Sequence, residues 1–77
     1  MNIKVVRRLT ATFRARGPSV GDVTIQEFTE FEEFEMLNGA PQVVERIKAY
    51  SINPREPVNR EDSGFTLART GELLIVL

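Results

Sequence analysis

Five glutamates fall within nine residues, Glu27, Glu30, Glu32, Glu33 and Glu35, with no base among them. Carboxylates at such spacing can transfer protons, bind a hard cation or present negative charge to a basic partner. Proton transfer needs a pocket, a perturbed carboxyl group and a frame that holds substrate, for which 77 residues leave little room. The ligand spacing of a calcium loop is absent. Charge presentation is what survives. Glu27, Glu30 and Glu33 could occupy the phosphate site of a nucleic-acid-binding protein, or could rim an aromatic anchor, Phe34 with Phe31, that engages a protein partner. A simply solvated acidic face is the plainer account.

The opposite charge lies upstream. Residues 1–16 carry Lys4, Arg7, Arg8, Arg14 and Arg16 with no acid, whereas residues 22–35 carry six acids with no base, and the chain as a whole has a formal net charge of −1. Lys4, Arg8, Arg14 and Arg16 could form a phosphate track along one side of a first strand. Base-stacking aromatics usually accompany such a track, and Phe13 falls on the other side of that strand, so nucleic acid is less favoured than a protein partner. An edge strand protected by arginines explains the same residues.

Other chemistry is excluded by composition. With neither cysteine nor histidine there is no disulfide, no thiol nucleophile and no Cys/His zinc site, and the commonest general base is missing. Ser19, Ser51, Ser63, Lys48 and Tyr50 sit in no nucleophile motif, and the glycines form no phosphate-cradling loop. The expectation is a non-enzymatic protein with no catalytic residue, no metal and no cofactor. No apolar run approaches the roughly 20 residues of a membrane span, and the first residues lack the pattern of a signal peptide, so a cytoplasmic protein without membrane contact is expected.

The elements that must position these residues follow from periodicity. Residues 1–77 make one domain. From Ile3 to Ala15 the chain alternates, with Ile3, Val5, Leu9, Ala11, Phe13 and Ala15 on one side, which predicts a half-buried strand; Arg7 interrupts the apolar side, which implies either a bulge near Val6-Arg7 or a position for Arg7 beyond the edge of the covered region. Thr24-Ile25-Gln26-Glu27 has the form of a capping box, with Val23 and Phe28 placed as a hydrophobic staple, and predicts a helix over 25–37 stopped by Asn38-Gly39. The β-branched density of 43–52 predicts a strand, 53–63 reads as a long polar loop, and 65–69 with 72–77 reads as a hairpin around Thr70-Gly71. The order β-α-β-β-β implies an α+β fold, a four-stranded, mostly antiparallel sheet with one helix packed on one face.

That architecture would leave the second sheet face open. Leu73 to Leu77 is apolar on both sides of its strand, and Val44, Tyr50, Ile52, Leu74 and Val76 could join into one exposed patch. Marginal size favours covering such a patch with a second copy, so a homodimer is expected. The functional expectation is a small protein–protein interaction module, an adaptor or inhibitor of the kind found in phages and mobile elements, that associates through the open face and the acidic helix. Its partner's identity is not written in the sequence. A nucleic-acid-binding module using the basic strand, or a structural assembly subunit, is the alternative.

Overall fold

In the computed structural model, which describes residues 3–37 and 39–77, every regular element is a β-strand. The strands are β1 (Ile3–Gly17), β2 (Gly21–Phe34), β3 (Gln42–Asn53), β4 (Glu56–Glu61), β5 (Gly64–Leu67) and β6 (Leu73–Val76). Each pairs antiparallel with the next, and β6 returns to β1 through Ala15↔Val76 and Arg16↔Ile75, closing a six-stranded barrel. The expected α+β fold, with its acidic helix and open four-stranded sheet, is therefore overturned.

The helix expected over 25–37 fails because its inward residues recur every second position. Val23, Ile25, Glu27 and Thr29 face the interior, and the last three are buried. Thr24 and Glu27, which fit a capping box, instead lie on opposite faces of β2. Val23, Thr24, Ile25 and Thr29 are all β-branched, which suits a pleated strand better than a helical turn. The strand expected over 43–52 is present as β3, and the expected hairpin as β5 and β6.

The polar segment expected to be a loop over 53–63 contains β4 and the turn into β5. It reads as a loop because a strand in so small a barrel contributes few core side chains. Val58 is buried, while Pro57 and Asn59 to either side are exposed. The turn between β4 and β5 depends on Gly64, whose φ of 148° disfavours any side chain and whose Cβ, if present, would lie 2.5 Å from the Leu74 carbonyl oxygen.

The core consists of Ala15, Ile25, Val58, Phe65, Leu67 and Leu74, with Phe13, Val20, Val23, Tyr50 and Ile52 packed against it. β6 is thus not a central strand covered on both faces. It buries only Leu74 and leaves Leu73, Ile75, Val76 and Leu77 exposed, Val76 on the inward side opposite Ala15. Gly17 belongs to this packing, since a Cβ there would strike the Leu74 side chain and the Glu72 carboxylate.

Three strands are much longer than the barrel needs. β1 and β2 stay paired from Gly17↔Gly21 to Ile3↔Phe34, and β3 follows β2 out to Phe34↔Gln42. β4 reaches β3 only at Tyr50, Ser51 and Asn53. The distal parts of β1, β2 and β3 therefore project as a three-stranded ribbon. The molecule measures 53 × 21 × 19 Å with a radius of gyration of 15.9 Å, against roughly 11.5 Å for a compact domain of this length.

Candidate interaction surface and the polar junction beneath it

Which side of the ribbon each residue occupies is decided by one irregularity. Between Leu9↔Phe28 and Ala11↔Glu27, β1 advances two residues while β2 advances one, so Thr10 is the extra residue of a bulge. The bulge expected near Val6-Arg7 lies three residues further on. Its effect is to split the apolar stripe expected from Ile3 to Ala15. Ala11, Phe13 and Ala15 point into the barrel, whereas Ile3, Val5 and Leu9 lie on the ribbon side continuous with the barrel's outer wall.

Directly paired residues share a face. The outer side therefore carries Ile3, Val5, Arg7 and Leu9 of β1, Phe34, Glu32, Glu30 and Phe28 of β2, and Gln42, Val44 and Ala49 of β3. Ile3 is 58% exposed, Val5 60% and Leu9 51%. Such a group of large apolar side chains in water is what an uncovered interface looks like. Arg7 lies over the Phe28 ring at 4.8 Å, which explains how a charged residue sits among apolar ones. At the foot of this side is a cavity of about 340 Å³ whose lining includes Arg7, Phe28, Ala49, Pro54 and Pro57.

The other side continues the barrel's lining. It presents Lys4, Val6 and Arg8 with Glu33, Phe31 and Thr29, and with Val43, Glu45 and Lys48. Arg8 approaches Glu33 at 3.8 Å and Lys48 approaches Glu45 at 2.8 Å, so charges here are largely matched within the chain.

Where ribbon meets barrel, five side chains form a directed hydrogen-bond chain. Lys48 donates to the Thr29 hydroxyl (3.1 Å), Thr29 can donate to Thr10 (2.7 Å), and Thr10 donates to one oxygen of Glu27 (2.7 Å). Tyr50 donates to the other Glu27 oxygen (3.0 Å), and the Lys48 ammonium lies 3.6 Å from Glu27. Glu27 is only 8% exposed, and among the described residues no buried side-chain polar atom lacks a partner. The Thr10 hydroxyl, aided by Tyr50 and Lys48, holds the Glu27 carboxyl below its ordinary value near 4.5 despite burial. A carboxylate so fully donated to is a poor proton acceptor, and its work here is to close the core with satisfied polar groups.

The expected site residues are thus dispersed. Of the acidic-helix set, Glu27 is buried at the junction, Glu30 and Phe34 lie on the outer side of the ribbon, and Phe31 and Glu33 lie on the inner side. Of the open-face set, Leu74 is in the core, Tyr50 and Ile52 pack against it, Val44 is on the outer side of the ribbon, and Val76 is exposed on β6. The basic track is divided by the Thr10 bulge. Lys4 and Arg8 share the inner side of the ribbon, while Arg14 and Arg16 face outward from the barrel, where Arg16 pairs with Asp22. The junction of Thr10, Glu27, Thr29, Lys48 and Tyr50 went unexpected, and the only signal for it was an acid at an inward position of a β-branched run. Among the described residues no cluster of acids could hold a metal ion, and no helix is long and apolar enough to cross a membrane. No protein-family model, curated protein or solved structure matches the chain.

Proposed function

We propose that the protein is a non-enzymatic assembly module whose ribbon docks, by its outer side, against the same side of a second copy. The observation that carries this reading is the row of exposed apolar residues, Ile3, Val5, Leu9 and Val44, on an element that projects from the barrel. Area supports the same occupant. The accessible surface of 5574 Å² exceeds by roughly 800 Å² what a globular chain of this mass exposes. That excess is about what one partner contributes to a standard interface.

Charge favours a copy over an acidic or basic stranger. The outer side carries two bases, Arg7 and Arg46, and two acids, Glu30 and Glu32, with Arg46 and Glu32 paired at 3.2 Å. A neutral, mixed surface meets its own two-fold image without like-charge excess. Light scattering after size exclusion tests this. The chain is expected to run as a dimer at tens of micromolar, and Val5→Asp with Val44→Asp is expected to yield a folded monomer. A wild-type chain that is strictly monomeric at that concentration overturns the reading.

A further inference from the structure

Arg60 takes the inward register of β4, two residues after Val58 and paired with the buried Phe65, yet it stays exposed at the end of the barrel. Its guanidinium carbon lies 5.2 Å from the ring centroid of Phe13, 5.4 Å from that of Phe65 and 5.7 Å from that of Tyr50. The three rings stand 5.3–6.4 Å apart with mutual tilts of 49–58°. They form a three-walled aromatic cup, and a cation already occupies it. Among the described residues no carboxylate pairs with Arg60, so the rings and water hold its charge.

Beside the cup is a cavity of about 340 Å³ lined by Phe13, Phe65 and Val76 together with Arg60, Glu61, Asp62, Ser63 and Gly64. Aromatic faces attract cations, and carboxylates at the rim select for them over anions. Glu61 turns to the barrel's outer wall with Thr66, from whose hydroxyl it accepts at 3.2 Å, whereas Asp62, in the turn that lines the cavity, makes no ion pair among the described residues. The rim thus offers negative charge that Arg60 does not use.

We propose that this cup is a binding site for an arginine side chain projecting from a partner segment, and that Arg60 is a resident guest that such a side chain displaces. The incoming guanidinium stacks among Phe13, Tyr50 and Phe65, and its outer N–H groups donate to Asp62. Arg60, released, needs no rescue beyond water, because it is an exposed side chain that leaves no ion pair behind. A tethered guest competes at high effective concentration, so Arg60 sets the threshold of the site and makes it answer only to a well-presented partner.

The sequence provides its own reporter, because Tyr50 is the only tyrosine and there is no tryptophan. Acetyl-arginine amide is titrated into Arg60→Ala while Tyr50 emission is followed, with acetyl-citrulline amide as the uncharged isostere. Saturable binding of the arginine probe is expected, about tenfold tighter than to wild type and about tenfold tighter than the citrulline probe. Asp62→Asn, added to Arg60→Ala, should weaken it severalfold. A folded Arg60→Ala that gives no saturable response, or that binds both probes alike, overturns the proposal. Should Arg60→Ala not fold, wild type is titrated by NMR at tens of millimolar probe. The Arg60 Nε–H resonance then loses its ring-current shift if the guest is displaced, and an unmoved resonance overturns the proposal equally.

Discussion

The Thr10 hydroxyl donates to the Glu27 carboxylate across 2.7 Å, and Thr10 is the one residue by which β1 exceeds β2 in the pairing between Leu9 and Ala11. The bulge and the buried acid are therefore one device. A regular ladder would place no extra residue opposite Glu27, and the bulge that delivers Thr10 also reverses the face of every β1 residue before it.

Removing only that hydroxyl tests the device. Thr10→Val keeps the β-branched shape but takes a donor from a buried carboxylate, and should cost about 1–3 kcal/mol in urea unfolding. Thr12→Val, two residues away on the exposed outer wall, should change stability by less than about 0.5 kcal/mol. Equal effects at the two positions would mean that the Glu27 contacts contribute nothing.

Acid should unfold the protein through the same carboxylate. Glu27 is held below its ordinary value near 4.5 by Thr10 first, then Tyr50 and Lys48. Glu72 is likewise lowered by the hydroxyl and amide of Ser19, and Asp22 by Arg16. A group with a lowered folded-state pKa binds fewer protons when folded. Its stabilisation is complete above the unfolded value and is lost as pH falls through the folded one. Stability should be flat from pH 7 down to about 5 and decline below about 4.5. Glu27→Gln should be less stable at neutral pH and show a shallower acid slope, which urea midpoints measured across that range would reveal.

Several of the barrel's strands are legible in the sequence, its closure and two of its strands are not, and the reason is local. The alternation of β1, the β-branched run of β3 and the turns at Gly17-Pro18 and Thr70-Gly71 all mark strands by ordinary rules. β2 was concealed because Glu27 occupies an inward position, where a polar residue breaks period two, and because Thr24 and Glu27 happen to stand at capping-box spacing. β4 was concealed because Arg60 takes the place of an apolar interior residue, its charge lodged against Phe13, Tyr50 and Phe65. The two charged residues that interrupt the strand patterns of β2 and β4 are the same two around which the polar junction and the aromatic cup are built.

Barrel closure makes a prediction that an open sheet would not. Leu74 is fully buried while its neighbour Ile75 is half exposed, so Leu74→Ala should cost about 2–5 kcal/mol and Ile75→Ala less than about 1 kcal/mol. Chemical denaturation of the two variants settles the direction in which β6 faces. The reverse order would return Leu74 to an exposed face.

Two glycines with positive φ should respond differently to alanine. At Gly71, φ is 78° and nothing lies within 4 Å of the added Cβ, so the cost is backbone strain alone, roughly 1–2 kcal/mol. At Gly64 the Cβ also meets the Leu74 carbonyl oxygen at 2.5 Å, and strain and overpacking together should cost about 2–5 kcal/mol. Thermal midpoints of the two variants should fall in that order, and the β5–β6 pairing that includes Phe65↔Leu74 should show the greater loss of amide protection in Gly64→Ala.

Charge balance on the ribbon offers a test of the proposed dimer that leaves its apolar residues untouched. Glu32→Lys replaces an acid beside Arg46 by a base, so that each copy brings Arg7, Arg46 and the new base against Glu30 alone. Two such surfaces repel when they face each other, and close like charges at an interface cost enough to shift association by tenfold or more. The dissociation constant should therefore rise by about tenfold at low salt and recover toward wild type as salt screens the repulsion. Adding Arg46→Glu restores neutrality, with the Glu32–Arg46 pair reversed in sense, and should restore the dimer at low salt. Analytical ultracentrifugation of the three chains at two salt concentrations distinguishes the cases, because an interface elsewhere on the barrel would be indifferent to either substitution.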